Sequence, residues 1–182
     1  MGFIVLILGL ALWTAAHFFK RLAPAQRAAM GDKGKAVVAV GVVAGLVLMI
    51  LGYQWAAFIN VWYPPAFFTH INNLLMLLAF YSYGIGAAKG KLAQRIRHPQ
   101  LIAVKTWAIA HLLVNGDLAS IILFGGLLAW AVGSVILINK SESWTPPAEI
   151  KPKGDLKLIV IALVLYAVVA GVHVWLGVNP FG

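Results

Sequence analysis

The chain has no cysteine, and only 5 acidic residues stand against 14 lysines and arginines in 182 positions. Without cysteine there is no disulfide, no zinc–thiolate site and no thiol nucleophile, and the redox compartment is left open. The acids are Asp32, Asp117, Glu142, Glu149 and Asp155, scattered along the chain. Only Asp117 falls outside the loops predicted to be cytoplasmic, so paired-carboxylate acid–base chemistry and di-iron carboxylate centres are excluded. A glycine-rich phosphate loop, a GxSxG elbow and an HExxH motif are also missing. Charge of either sign is scarce at 10% of residues, whereas 62% are hydrophobic. A soluble domain could not hide that much apolar side chain.

The composition therefore predicts an all-α, polytopic membrane helix bundle, with residues 1–182 forming a single domain. Apolar runs of spanning length fall near 2–20, 36–59, 70–88, 99–114, 117–139 and 157–177, about six transmembrane helices. The net charge of +9 suggests a nucleic-acid partner until the charges are placed. Lys20, Arg21, Arg27, Lys33 and Lys35 occupy the first loop, and Lys89, Lys91, Arg95 and Arg97 the third. Lys140, Lys151, Lys153 and Lys157 lie in or beside the fifth. The second loop carries no charge, and the turn Asn115-Gly116-Asp117 carries only an acid. This alternation is a topology signal that puts the basic loops in the cytoplasm and both termini outside. It makes the lipid bilayer, with its anionic headgroups, the expected partner, and not nucleic acid. The first apolar run lacks a basic region before it, so it reads as an uncleaved span.

Local punctuation supports these boundaries. Pro64-Pro65 breaks the second loop, where Trp62, Tyr63, Phe67 and Phe68 predict an aromatic belt, and Pro146-Pro147 and Pro152 keep the last loop irregular. Gly41 and Gly45 in span two, and Gly125, Ala129 and Gly133 in span five, recur every four residues and predict close helix packing. Asn72, Asn73 and Gln54 read as inter-helix hydrogen-bonding residues, and Asp117 as the N-cap of span five. Span four, with Pro99 in its first turn, is only ~24 Å long against a hydrocarbon core of ~30 Å. Either the bilayer thins there or one end opens to water.

The chemistry-bearing residues gather in and around this short span. Arg95, Arg97 and His98 precede Pro99, and an arginine pair beside a helix start suits a phosphate, a carboxylate or a haem propionate. The same cluster also serves as an ordinary interfacial anchor. Lys105, two turns further on, either snorkels to the interface or meets a bound carboxylate. Gln100, Val104, Trp107 and His111 share one helical stripe. His98 and His111 are separated by ~20 Å of rise and face nearly opposite sides, so each needs a partner from another helix. His17 is expected at a depth similar to His98, and His70 at a depth similar to His111. His173, with no evident partner, reads as a structural or interfacial residue. Neutral imidazole on several helices points to haem iron.

The run Arg97-His98-Pro99-Gln100-Leu101, with Val104, Lys105, Trp107, Ala110, His111-Leu112-Leu113 and Asn115 to Ser120, resembles the NnrU family of bacterial membrane proteins. Ala16-His17, the His70–Phe80 segment, Phe124-Gly125-Gly126 and Ala129-Trp130 extend the resemblance over most of the first 140 residues. It implies a multi-pass inner-membrane protein connected to nitrite and nitric oxide metabolism. The family also includes the plant zeta-carotene isomerase, a b-type haem enzyme, and this implies haem b with His17 and His111 as bis-histidine ligands. A cysteine tied to ligand exchange in that relative falls at Ala108, so a thiolate switch is impossible here. On the predicted spans His17 and His111 differ in depth by ~15 Å. Pairs of equal depth, His17 with His98 and His70 with His111, are the alternative ligand sets.

Two other readings remain open. The Arg97-His98-Pro99 triplet also resembles membrane methyltransferases that use S-adenosylmethionine, for which Ser141-Glu142-Ser143-Trp144 offers only a partial downstream motif. A non-catalytic assembly factor for a respiratory or nitrogen-oxide reductase complex would show ordinary small-residue faces.

Overall fold

A computed structural model describes residues 1–181, and regular structure among them is helical. The helices are α1 (Gly2–Leu22), α2 (Pro24–Ala29), α3 (Gly31–Trp55), α4 (Phe68–Ala88), α5 (Pro99–Val114), α6 (Leu118–Ser141) and α7 (Gly154–Trp175). A 3-10 turn at Lys91–Gln94 precedes α5. α1, α3, α4, α6 and α7 are long and apolar enough to cross a bilayer, and α5, with 16 residues, is the short apolar helix expected for span four. Their outward faces are aliphatic, as for Val40 and Val43 of α3 and Val160 and Val164 of α7. Such surface is stable only against lipid or protein.

The helices group into two compact units: residues 1–63 with 116–142, and residues 64–115 with 143–182. The first contains α1, α2, α3 and α6. Its tightest seam joins α1 to α3, where backbones meet with almost no side chain between them. A Cβ at Gly9 would lie 2.6 Å from the Met49 nitrogen, and one at Gly45 2.8 Å from the Trp13 nitrogen. One at Gly52 would strike the Leu6 backbone. The buried positions Gly2, Leu6 and Gly9 on α1 match Gly45, Met49 and Gly52 on α3, each set spaced four then three. This is the spacing of left-handed helix pairs, and in lipid close van der Waals contact is what drives it.

On α6 the same alternation selects Ser120, Phe124, Leu127, Ala131 and Ser134 as the buried face. Gly126 and Gly133 approach α1 through Leu10 and Phe18. The expected Gly125–Ala129–Gly133 stripe is not this seam. Gly125 faces open space and Ala129 is exposed. A strict four-residue step drifts ~40° around the helix each time, so it leaves a straight contact within two steps.

The second unit contains α4, α5 and α7. α7 is apolar all round and buries only Gly154, Leu158, Ala162 and Ala170, toward α4. Ile85, Ala93 and Leu158 form a core, surrounded by Tyr81, Ala88, Leu92 and Ile96. Residues 143–153, irregular as their prolines require, are fastened down. Gln94 Nε2 donates to Pro147 O at 2.9 Å, Lys151 N to Lys89 O at 2.8 Å, and Lys91 N to Asp155 Oδ2 at 2.8 Å. Lys89, at φ 51°, holds the left-handed turn that ends α4.

Several boundaries differ from the sequence reading. α3 starts earlier than expected and stops at Trp55, because residues 56–62 leave the helix to pair with the turn before α6. Val61 and Trp62 donate to Gly116 O, and Leu118 N donates to Ile59 O. The short α2, begun by Pro24, lies inside a stretch read as loop.

Candidate functional site

In the first unit the side chains of interest gather around His17. Its Nδ1 lies 2.8 Å from the Trp13 carbonyl oxygen, one turn back on α1. That oxygen can only accept, so Nδ1 carries the proton and the Nε2 lone pair is available in the neutral ring. The imidazole packs between two indoles, with ring centroids 4.3 Å from Trp13 and 4.8 Å from Trp130. Trp13 and Trp130 meet edge-on at 5.4 Å. Both indole N–H groups are buried with no acceptor among the described residues. Buried donors are costly unless bonded, so each calls for an acceptor in the working protein.

A second polar cluster, which the sequence did not reveal, joins α3 to the start of α6. Ser120 N donates to Asp117 Oδ1 at 2.9 Å, as expected of the N-cap. The Ser120 hydroxyl donates to Asp117 Oδ2 at 2.6 Å, and Tyr53 OH lies 2.9 Å from the same hydroxyl oxygen. Ser120 has one proton, committed to the carboxylate, so Tyr53 is the donor to Ser120. This chain fixes α6 and leaves no activated nucleophile. At the far end of α6, Glu142 pairs with Arg21 at 3.2 Å and Lys20 at 3.9 Å. The sole acid of the Ser141–Trp144 stretch is therefore engaged.

In the second unit, His98 is the N-cap of α5, Pro99 fills its first turn, and the His98 carbonyl accepts from Ile102 N at 2.9 Å. Arg95 is exposed and closes the 3-10 turn, and Arg97 and His98 are half-buried. Lys105 is half-buried on α5 and forms no ion pair among the described residues. His111 repeats the His17 arrangement: its Nδ1 is 3.0 Å from Trp107 O and its ring centroid 5.1 Å from that of Trp107. The shared stripe of Trp107 and His111 is therefore real. Asn115 Nδ2 caps the same turn through His111 O at 2.8 Å.

His173 anchors its Nδ1 on Val169 O at 2.8 Å, one turn back on its own helix. His70, by contrast, is exposed at the start of α4, and no side-chain hydrogen bond orients it among the described residues. Asn72 bonds Asn73 on its own helix at 3.1 Å and leaves its Oδ1 buried and unpartnered. Gln54 is exposed. The inter-helix hydrogen bonds expected of these three amides are not found among the described residues, where the one bond they make joins neighbours on α4.

Among the described residues no group of three or more His, Asp or Glu side chains could hold a metal ion. Haem does not need one, since the porphyrin supplies the equatorial ligands. What it requires of the protein is an oriented imidazole with Nε2 available and donors for its carboxylates. His17 with its buried, unpartnered indoles meets both requirements.

The helices and their lipid-facing surfaces define a polytopic helical membrane protein. The NnrU protein family matches residues 5–180, nearly the whole chain, and the chain belongs to that family. Neither a curated protein nor a solved structure matches it.

Proposed function

We propose that this NnrU-family protein binds haem b in the bacterial inner membrane, and that the oriented imidazoles of the two units, His17 in the first and His111 in the second, are each a candidate iron ligand. Its role is then redox, sensing or isomerase-like, connected to nitrite and nitric oxide metabolism as the family resemblance implies. Isomerisation by a thiolate switch is outside it, because Ala108 has no sulfur. The observation that carries the reading is the His17 cluster, with its fixed tautomer and two buried indole donors lacking acceptors.

Haem, when bound, would supply one-electron chemistry. The chain's own groups do the holding. The Trp13 carbonyl keeps His17 Nδ1 protonated and so raises the donor strength of Nε2. The Trp107 carbonyl does the same for His111. The indoles of Trp13 and Trp130 exclude water from the imidazole and offer N–H donors. Arg97 and His98 at the start of α5 are the groups suited to a carboxylate.

An absorption spectrum of the detergent-solubilised protein, oxidised and reduced, tests the reading. A Soret band is expected in the wild type and is lost or shifted to a five-coordinate form in His17→Ala and in His111→Ala. A folded preparation expressed with ample haem that stays colourless overturns it.

A further inference from the structure

We propose that the cleft where α7 begins is a binding site for the phosphate headgroup of an anionic phospholipid, with one acyl chain lying along α7. This inference stands apart from haem binding. The cleft, about 590 Å³, belongs to the second unit and lies between the end of α4 at Ala88, the loop before α7, and the helix's first two turns. Its rim carries Lys151, Lys153 and Lys157, and its wall is Leu158 and Ile161.

The lysines of this rim outnumber the acids beside them, Glu149 and Asp155. Among the described residues, every ion pair lies elsewhere: Glu142 with Lys20 and Arg21, Asp32 with Lys35, and Glu149 with Lys89. Glu149 also sits in the field of Lys151, but its carboxylate is bonded to Lys89 at 2.8 Å. Asp155, the other nearby acid, accepts the Lys91 backbone N–H through Oδ2. With Glu149 engaged by Lys89, the three rim lysines stand against the single remaining carboxylate of Asp155, and this surplus of positive charge suits an anion.

The backbone that carries these exposed lysines is held in place before any ligand arrives. Lys151 N donates to Lys89 O and Gly154 N to Lys151 O, at 2.8 and 2.9 Å. Gly154 seats against α4 so closely that a Cβ there would strike the Ala88 carbonyl oxygen. A fixed loop loses little freedom on binding.

The apolar wall favours a lipid over a soluble phosphate. Leu158 is 2% exposed and anchors the helix to α4, while Ile161, Leu165 and Val168 stay exposed at 52%, 43% and 56%. Steps of four and three put these three on one face, which runs from the lysine rim along a membrane-spanning helix. A headgroup at the lysines thus leaves its acyl chain on an aliphatic stripe that free phosphate would not touch.

The test uses the full chain in nanodiscs of mixed phosphatidylglycerol and phosphatidylcholine, with retained lipid read by native mass spectrometry. The wild type is expected to retain phosphatidylglycerol preferentially. The triple variant Lys151→Gln, Lys153→Gln, Lys157→Gln should lose about tenfold of that preference. A triple arginine variant at the same positions should keep it, which separates lost charge from a damaged fold. A control variant, Lys33→Gln with Lys35→Gln, should also keep it. Undiminished preference in the glutamine variant overturns the proposal, as does loss in the arginine variant. Displacement of the lipid by millimolar inorganic phosphate overturns the lipid assignment in favour of a free-phosphate site.

Discussion

His17 meets Trp130 edge-on, with ring centroids 4.8 Å apart, so one residue of α1 and one of α6 build a single aromatic cluster around an oriented imidazole. Nothing else in the first unit combines an available ring nitrogen with buried, unpartnered donors.

Replacing Trp130 with Phe keeps the edge contact and deletes one buried, unpartnered N–H. An unbonded buried donor costs roughly 1–3 kcal/mol. Ligand-free Trp130→Phe should therefore unfold at or above the wild-type temperature. If the indole donates to a cofactor carboxylate, the same variant should retain less haem per mole of protein. Thermal melts and Soret absorbance, measured on the same samples, check the opposite signs. A clear fall in ligand-free stability would mean that the N–H already has an acceptor.

The Asp117–Ser120–Tyr53 chain predicts a graded series. Asp117→Ala removes the N-cap of α6 together with the acceptor of the Ser120 hydroxyl, and should cost about 1–2 kcal/mol. Tyr53→Phe removes only the outer donor, from a side chain 36% exposed, and should cost less, about 0.5 kcal/mol. Denaturation followed by tryptophan fluorescence ranks them, and a larger effect in Tyr53→Phe would contradict the order of the chain.

Two glycines predict opposite outcomes for one substitution. Gly52→Ala puts a Cβ into the Leu6 backbone and forces α1 from α3, an overpacking cost of about 1–3 kcal/mol. Gly125→Ala meets nothing and gains helix propensity of up to about 1 kcal/mol. Melting temperatures of the two variants should bracket the wild type. Equal destabilisation would show that Gly125 is packed after all.

Features governed by local chemistry were legible in the sequence. Apolar length marked the spans, Pro99 and Asp117 marked helix starts, and the Trp107–His111 stripe followed from helix rotation alone. Features governed by which helix faces which were not. The Gly125 stripe failed because four-residue periodicity cannot tell a seam of alternating four and three from a drifting row. Trp13 and Trp130 gave no sign of meeting at His17, since nothing local links residues on different helices. Nothing in the sequence singled out Tyr53, because its bond to Ser120 depends on how α3 and α6 are placed. Exposed ends of helices were legible only in part, because loop residues 56–62 choose between continuing α3 and pairing with Gly116 on tertiary grounds.

Acid should release the loop that precedes α7. Glu149 is held below its ordinary carboxylate value of 4.5 by its hydrogen bond and charge contact with Lys89, with a smaller contribution from Lys151. A carboxylate whose value is lowered on folding stabilises the folded state above its unfolded value. That contribution is lost as pH falls through the lowered one. The Lys89–Glu149 pair should thus be intact at neutral pH and dissolve in the acid range below 4.5. The Lys151 amide, bonded to Lys89 O beside the pair, reports the change. Hydrogen exchange at Lys151, corrected for intrinsic rate, should lose protection on acidification in the wild type. In Glu149→Gln it should be weakly protected at every pH. High salt should mimic the variant, because the pair is exposed and readily screened. Protection that is unchanged by pH, salt and the substitution would show that the backbone bonds at Lys151 and Gly154 hold the loop unaided.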